Sequence, residues 1–233
     1  MTIKTQIWVL FTEELTFFSL FGRLKSNVIG MIHDGLIIEN MHDIPYTLEV
    51  GPEVCASMTA VCAAVRGLYP SWPLGVQILS AANHSALAVA LASGLDFIRA
   101  EGLCPHMLQM KACMIRSDYI THNWLATDAH ALTSDVSIAE TAQAAEFFLS
   151  DGVIVTGSAT GAQADPEELR EVTQSVRIPV LIGSGVTHDN VEHYLQASTM
   201  IIGSHFKKGG YWANGVDAER VKRFMGKIHE LKE

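Results

Sequence analysis

Short runs of apolar, mostly β-branched residues alternate with helical segments, and this alternation constrains the fold more than any other feature. The pattern is most regular over residues 152–231, where three strand-and-helix pairs follow one another with short loops. The strands are apolar at nearly every position, which is typical of strands covered on both faces. The sequence therefore predicts an α/β fold with a parallel sheet and helices outside it.

The same alternation extends over most of the chain. It predicts strands at residues 28–32, 36–39, 75–79, 97–100, 153–156, 180–183 and 200–203. It predicts helices at residues 52–65, 84–92, 137–149, 166–175, 190–196 and 217–231. Residues suited to cap these helices are Asn83, Asp135, Asp165 and Asp189.

The length of 233 residues suits one domain. A β/α barrel uses about 250 residues, and no linker rich in Pro, Gly or Ser divides the chain. We expect an N-terminal extension at residues 1–25, with a short amphipathic helix at 13–24, followed by a single barrel domain at 26–233.

Two places interrupt the alternation. Residues 32–36 join two strands with no room for a crossover helix, and residues 102–133 show no strong strand pattern and only a vague helical period. We therefore predict an incomplete TIM-type (β/α)8 barrel whose first crossover helix and fifth strand are missing or replaced. Because lost strands expose sheet edges, we also expect homo-oligomers or low solubility.

Composition excludes several functional classes. The 25 acidic and 16 basic residues give a net charge of −9, which argues against binding nucleic acid through broad phosphate neutralisation. The four cysteines form no CxxC pair, so buried free thiols are expected rather than disulfides or zinc ligands: Cys55, Cys62, Cys104 and Cys113.

Targeting signals are weak. No apolar run reaches the roughly 18 residues of a membrane span. Residues 1–27 lack a cleavage pattern and contain Glu13 and Glu14, which fits neither a secretory signal nor an acid-free mitochondrial presequence. We expect an intracellular protein, cytoplasmic or mitochondrial, that is neither secreted nor membrane-spanning.

Three glycine-rich segments each follow a predicted strand, at residues 156–161, 183–187 and 203–210. Glycine allows a sharp turn that presents backbone N–H groups to an anion, and β/α barrels commonly bind phosphate after strands 7 and 8. We predict a phosphate site at Gly183, Ser184, Gly185, Gly203 and Ser204, to which Lys207 or Lys208 adds charge. The alternative is that the glycines only form tight turns.

Polar residues at other strand ends form a second group. Glu39 and Arg99 end two predicted strands and Glu101 closely follows the second, with Asn40 and Asp43 nearby and His33 after an earlier strand. Since strand ends converge on one face of a barrel, Glu39 or Glu101 can act as general base and Arg99 can hold an anion. Helix capping or simple ion pairing is the alternative for each.

The histidines are scattered and form no HExxH, HxH or finger pattern, so we expect no metal site. Arg220, Lys222, Arg223 and Lys227 alternate with acidic residues in the last helix, which indicates a solvent-exposed face.

The chain resembles the BtpA/SgcQ family over most of residues 26–225. The stretches that carry the resemblance are NVIGMIH, DGLIIENMHDIPY, VGPEVCASMTAVCAAVR, PLGVQIL, GLDFIRAEG, HALTSDVSIAETAQAAEFFLSDGVIVTGSATG, IPVLIGSGVTHDNVEHYL and MIIGSHFKKGGYWANGVDAERVKRFM. It departs from the family where DGLIIEN follows IGMIH at once, without the usual loop and helix, and at residues 103–128, which replace a helix and strand.

The resemblance implies a barrel of the ribulose-phosphate-binding type. The family's named member is associated with biogenesis or stabilisation of photosystem I at thylakoid membranes, and other members are regarded as enzymes without a settled reaction. The family's motif segments correspond here to Glu39, Asn40, Gly157, Ser158, Thr160, Gly183, Ser184, Gly185, Gly203 and Ser204.

Two functions follow as hypotheses. In the first, the chain is a lyase, isomerase or transferase that acts on a phosphorylated sugar- or nucleotide-like molecule without a cofactor. The glycine loops hold the phosphate, with Asn40, Gly157, Ser158 and Thr160 in substrate loops. In the second, it is a non-catalytic assembly factor that associates peripherally with a membrane complex.

Overall fold

The computed structural model describes residues 6–12, 33–41, 43, 46–47, 49–101, 112–116, 136–157 and 161–231. Its strands are β1 Gln6–Thr12, β2 His33–Glu39, β3 Leu74–Gln77, β4 Phe97–Ala100, β5 Ala112–Arg116, β6 Gly152–Thr156, β7 Val180–Gly183 and β8 Thr199–Ile202. Its α-helices are α1 Pro52–Leu68, α2 Asn83–Ser93, α3 Ile138–Phe147, α4 Pro166–Ser175 and α5 Ala218–Glu230, and 3₁₀ turns lie at Val191–Tyr194, Ser204–Phe206 and Lys208–Gly210.

Two three-stranded parallel sheets form the framework. One contains β2, β3 and β4, and the other contains β6, β7 and β8. Strand β1 pairs antiparallel with β2 and β8, and β5 pairs antiparallel with β4 and β6, so pairing passes around all eight strands. The predicted α/β fold with parallel sheets is confirmed.

The eight strands do not form the closed parallel barrel of a TIM-type fold. Strands β1 and β5 run against their neighbours. Antiparallel neighbours need no crossover helix, in contrast to the parallel strands of a TIM-type barrel. The predicted strand at 28–32 and helix at 13–24 lie outside the described residues.

Apolar clusters lie on both sides of the strands. Each sheet packs its outer face against its own helices, and the two outer clusters centre on buried residues such as Met58 and Val172. A third set, which we call the inner cluster, joins the two sheets and contains Ile37, Met41, Phe97, Ile154, Leu181 and Ile201. The near-continuous apolar strands of the sequence are thus covered on both faces.

Local capping explains where several helices begin. The Ser137 hydroxyl and the Glu140 carboxylate form a reciprocal capping box at the start of α3. The Asp165 carboxylate accepts a hydrogen bond from the backbone N–H of Glu167, as predicted for α4. Ala82 instead precedes α2, so Asn83 is its first residue rather than its cap.

One other cap differs from prediction, because Asn190 rather than Asp189 precedes the next turn. The predicted cap Asp135 lies outside the described residues. The helix predicted at 190–196 is only the 3₁₀ turn Val191–Tyr194, because the chain must turn back before β8 begins at Thr199.

Candidate functional site

Polar side chains lie directly above the inner cluster at the carboxyl ends of the first sheet. Ile37 and Phe97 belong to that cluster, and side chains two residues apart on a strand face the same side, so Glu39 and Arg99 face the interior. Glu39 lies opposite Gln77 in the strand register. We call Glu39, Gln77, Arg99 and Glu101 the charged layer.

An ion pair occupies this layer. Nη2 of Arg99 lies 2.8 Å from Oε1 of Glu39, whose side chain is 1% exposed against 19% for Arg99. Nε of Arg99 and Oε1 of Gln77 are buried and have no hydrogen-bond partner among the described residues. The buried Asn40 accepts a hydrogen bond at Oδ1 from the backbone N–H of Leu79, 2.9 Å away, which ties together the loops after β2 and β3.

Glu101 stabilises the turn at Ser80 and Ala81, which follows β3. One carboxylate oxygen accepts a hydrogen bond from Nε2 of Gln77, and the other accepts the backbone N–H of Ala81 at 3.0 Å. Asn83 exchanges two hydrogen bonds with the backbone of Glu101. Ser80 and Ala81 adopt left-handed backbone angles (φ +67° and +58°), so these contacts stabilise a strained turn.

Tyr46 lies beside the charged layer. Its hydroxyl donates a hydrogen bond of 2.5 Å to the carbonyl of Met41. Burial raises the pKa of this phenol, and the carboxylates of Glu39, Asp43 and Glu101 raise it further because they disfavour a phenolate. Oδ2 of Asp43 is buried without a hydrogen-bond partner in the part of the chain that the structure describes.

The glycine loops of the second sheet surround a cavity of about 430 Å³. This volume lies in the range typical of small-molecule sites. We call it the glycine cavity; its lining includes Gly161, Ser184, Gly185, Gly203, Ser204, His205, Trp212 and Arg220. Ile201 of the inner cluster also lines it, so the cavity opens at the carboxyl ends of β6, β7 and β8.

Close backbone packing shapes this cavity. A Cβ on Gly185 would lie 2.4 Å from Cα of Gln163, and the φ angle of Gly185 is +63°. A Cβ on Gly157 would lie 2.1 Å from the carbonyl oxygen of Ala162. Ser184 also has a positive φ, +65°, and its Oγ accepts a hydrogen bond from Thr156. Gly183 ends β7 just before this turn, while Ser158 and Thr160 lie outside the described residues.

Arg220 brings a cation to the cavity. Its Nε donates a hydrogen bond of 2.6 Å to the carbonyl of His205, and its Nη2 lies 3.3 Å from Nδ1 of that histidine. Burial lowers the pKa of His205 to about 4, and the positive charge of Arg220 adds to this effect. Lys222 and Arg223 are exposed, as predicted for this face of the last helix, whereas Arg220 is only partly exposed because it contacts His205 in the loop after β8.

The two consecutive lysines after β8 differ in environment. Lys207 is 5% exposed, whereas Lys208 is exposed. Burial lowers the pKa of the Lys207 amine, and the Glu39 carboxylate opposes this shift by stabilising the ammonium form. Lys207 therefore lies within electrostatic reach of the charged layer, although the two belong to different sheets.

The sequence placed one candidate wrongly and missed others. His33 begins β2, at the opposite end of the strand from Glu39, so it does not share the site. Gln77 and Tyr46 were not predicted as site residues. The only sequence signal for Gln77 is a polar residue inside an apolar strand. Among the described residues no group of His, Cys, Asp and Glu could hold a metal ion.

Two of the four cysteines lie in segments whose side chains are described. Cys55 and Cys62 are free, and burial raises the pKa of the Cys62 thiol to about 12. Cys104 lies outside the described residues, and Cys113 is in β5, whose side chains are not described. None of the helices described has the length and apolar character needed to cross a bilayer.

Comparison with known proteins extends the evidence. A family model described as "BtpA family" matches residues 30–118 and 119–230. An uncharacterised protein of Caenorhabditis elegans, named as mitochondrial, is 41% identical over 223 residues, which cover 85% of this chain and 79% of the relative.

Two microbial relatives are also similar. An uncharacterised protein of Archaeoglobus fulgidus is 33% identical, with 82% of this chain and 81% of the relative covered. The "Photosystem I biogenesis protein BtpA" of Synechocystis is 30% identical, with 84% and 74% covered. No solved structure matches the chain significantly.

Proposed function

Because the chain belongs to the BtpA family, we propose that it acts on a phosphorylated sugar- or nucleotide-like molecule bound at the carboxyl ends of its parallel strands. The observation that carries this proposal is the glycine cavity, where loops after β6, β7 and β8 meet the cation of Arg220. Glycine turns that follow strands and lie beside an arginine suit a phosphate group.

The charged layer is the proposed chemical centre. Glu39 is the general acid or base, and Arg99 holds an anionic part of the substrate. Three buried polar atoms, Nε of Arg99, Oε1 of Gln77 and Oδ2 of Asp43, are without hydrogen-bond partners among the described residues. Buried polar atoms are normally satisfied, so these are the atoms that a ligand would contact. Glu101 is a weaker candidate because it already holds the Ala81 turn.

The proposed reaction is a lyase, isomerase or transferase step that uses protein side chains alone. We interpret the fold as a TIM-type (β/α)8 barrel in which antiparallel β1 and β5 take the places of two parallel strands. In such barrels catalytic side chains and phosphate loops share the carboxyl face, which is the arrangement that this proposal requires.

Thermal unfolding with added phosphate, sulfate and sugar phosphates tests the anion site. A ligand at ten times its Kd adds about 1.4 kcal/mol and raises Tm by about 3–6 °C in a chain of this size. The shift should disappear in Arg220→Met and in Ser184→Asp, which places a carboxylate in the cavity. Lys222→Met, exposed on the same helix, should keep the shift.

The control variant Lys222→Met distinguishes a local effect of the Arg220 cation from a general effect of positive charge on the protein. If wild type shows no shift with any of these anions, and Ser184→Asp is as stable as wild type, the enzyme proposal fails for this chain. An equal loss of the shift in Lys222→Met would indicate nonspecific electrostatics rather than a site at Arg220.

The name of the Synechocystis relative favours a second candidate. In this alternative the chain is a non-catalytic factor that associates peripherally with a membrane complex and assembles or stabilises it. We propose a cytoplasmic or mitochondrial location, the latter suggested by the name of the nematode relative. Affinity capture from membranes under mild detergent tests the alternative, which predicts recovery of a defined complex; recovery of none counts against it.

We also propose that the chain forms homo-oligomers. Light scattering of the purified protein tests this, and a monodisperse monomer would refute it.

A further inference from the structure

Lys207 is the more buried of the two consecutive lysines after β8. It is only 5% exposed, whereas Lys208 is exposed. Burial of an amine costs free energy, so the burial of this lysine indicates a use.

The backbone around Lys207 is firmly held. Its N–H donates a hydrogen bond to the carbonyl of Ser204 at 3.0 Å, and its own carbonyl accepts the N–H of Gly210 at 2.9 Å. It also forms an isolated β-bridge with Val216. The lysine is thus fixed between two segments that line the glycine cavity, at Ser204 and Gly210.

The surroundings of Lys207 place it near both parts of the site. Phe206, the last residue of the 3₁₀ turn Ser204–Phe206, packs against Phe224, with ring centroids 5.3 Å apart. Lys207 follows this turn with an extended backbone (φ −89°, ψ 154°). The Glu39 carboxylate acts electrostatically on the Lys207 amine, so this amine lies within reach of the charged layer.

We propose that the amine of Lys207 forms a Schiff base with an aldehyde or ketone group of the ligand whose phosphate lies in the glycine cavity. This inference rests on the proposed function. The nitrogen lone pair forms a C–N bond to the carbonyl carbon, and the carbonyl oxygen leaves as water with both protons of the neutral amine. Burial favours the neutral, nucleophilic form of the amine, and Glu39 is the neighbouring group that can move the proton.

Borohydride trapping tests the proposal. The protein is treated with glyceraldehyde 3-phosphate or with glyceraldehyde, reduced with sodium borohydride, and mapped by peptide mass spectrometry. Reduction leaves a secondary amine whose mass exceeds that of the lysine by the mass of the aldehyde less one oxygen. We expect at least about tenfold more adduct at Lys207 than at Lys208, because burial lowers the pKa of the Lys207 amine and favours its neutral, nucleophilic form.

Variants and competition separate this inference from the anion site. Lys207→Met should remove the adduct, and Lys208→Met should keep it; because mapping of wild type compares both lysines directly, the result does not depend on a variant folding. Adduct at Lys207 that inorganic phosphate suppresses supports both proposals. Equal adduct from both aldehydes, unaffected by phosphate, supports the Schiff base and contradicts the anion site. Adduct no greater at Lys207 than at Lys208 overturns the Schiff base, whatever the thermal shift shows.

Discussion

The two parallel sheets contribute different chemistry to one end of the molecule. The first sheet ends in ionisable side chains, with Glu39 and Arg99 paired at 2.8 Å. The second ends in glycine turns around a cavity that Arg220 lines. The difference shows that one fold can present ionisable side chains at the end of one sheet and backbone loops around a cavity at the end of the other.

Removal of Arg99 should have the largest effect and would test the first sheet. Arg99→Met removes the cation that lies 2.8 Å from the buried Glu39 carboxylate, which should cost about 3–5 kcal/mol of unfolding free energy. Urea denaturation measures this. Arg170 and Glu167 form an exposed ion pair, with side chains 59% and 69% exposed respectively. Arg170→Met breaks this pair and should cost less than about 1 kcal/mol of unfolding free energy. If the two variants lose similar amounts of unfolding free energy, burial does not determine how strongly the Arg99–Glu39 pair stabilises the protein.

Substitution of Gly185 tests the second sheet. Gly185→Ala places a Cβ against the backbone of Gln163 and keeps a left-handed φ, so a loss of about 2–4 kcal/mol is expected. Gly94 has a similar φ, +69°, but open space around its Cβ position. Gly94→Ala should therefore lose only the unfolding free energy that a left-handed backbone costs a non-glycine residue, about 1–2 kcal/mol. If both variants lose the same amount, close packing of the cavity loops is not what fixes Gly185.

The smallest effect concerns acid stability. The folded pKa of His205 is about 4 and the ordinary value is 6.5, so the unfolded chain binds more protons between these pH values. Stability from this histidine is complete above about pH 6.5 and is lost as the pH falls towards 4. With a discount for partial exposure the loss is about 2 kcal/mol.

Denaturation midpoints between pH 7 and 4 measure this loss. His205→Gln should show a shallower decline than wild type, while His84→Gln, at an exposed position on α2, should match wild type. An unchanged slope in His205→Gln would place the acid sensitivity elsewhere, for example in the carboxylates of the first sheet.

Strand and helix positions were largely predictable from the sequence. The bounds of β4, β7 and α4 match the predictions, because short apolar runs and the Asp165–Pro166 start signal act locally. The antiparallel strand β5 was not predictable, since residues 112–116 carry no clear pattern and gain their strand partners only from β4 and β6.

The candidate site shows the same division. Glu39, Arg99 and the glycine loops were predictable as groups at strand ends, because parallel strands bring their carboxyl ends to one edge. Gln77 and Arg220 needed the structure, and so did the choice between Lys207 and Lys208. Each lies beside the site because segments distant in sequence pack together. Such contacts cannot be inferred from the spacing of residues along the chain.

The sequence by itself determined the alternation of strands and helices, the polar residues and glycines that follow the strands, and membership of the BtpA family. Hydrophobic pattern and turn chemistry are local properties, so they can be inferred from order alone. Only the tertiary structure decided that two strands run antiparallel, that Arg220 faces a cavity, and that Lys207 is buried while Lys208 is not. Burial and charge environment depend on all the elements packed around a residue, which adjacent letters in a sequence do not specify.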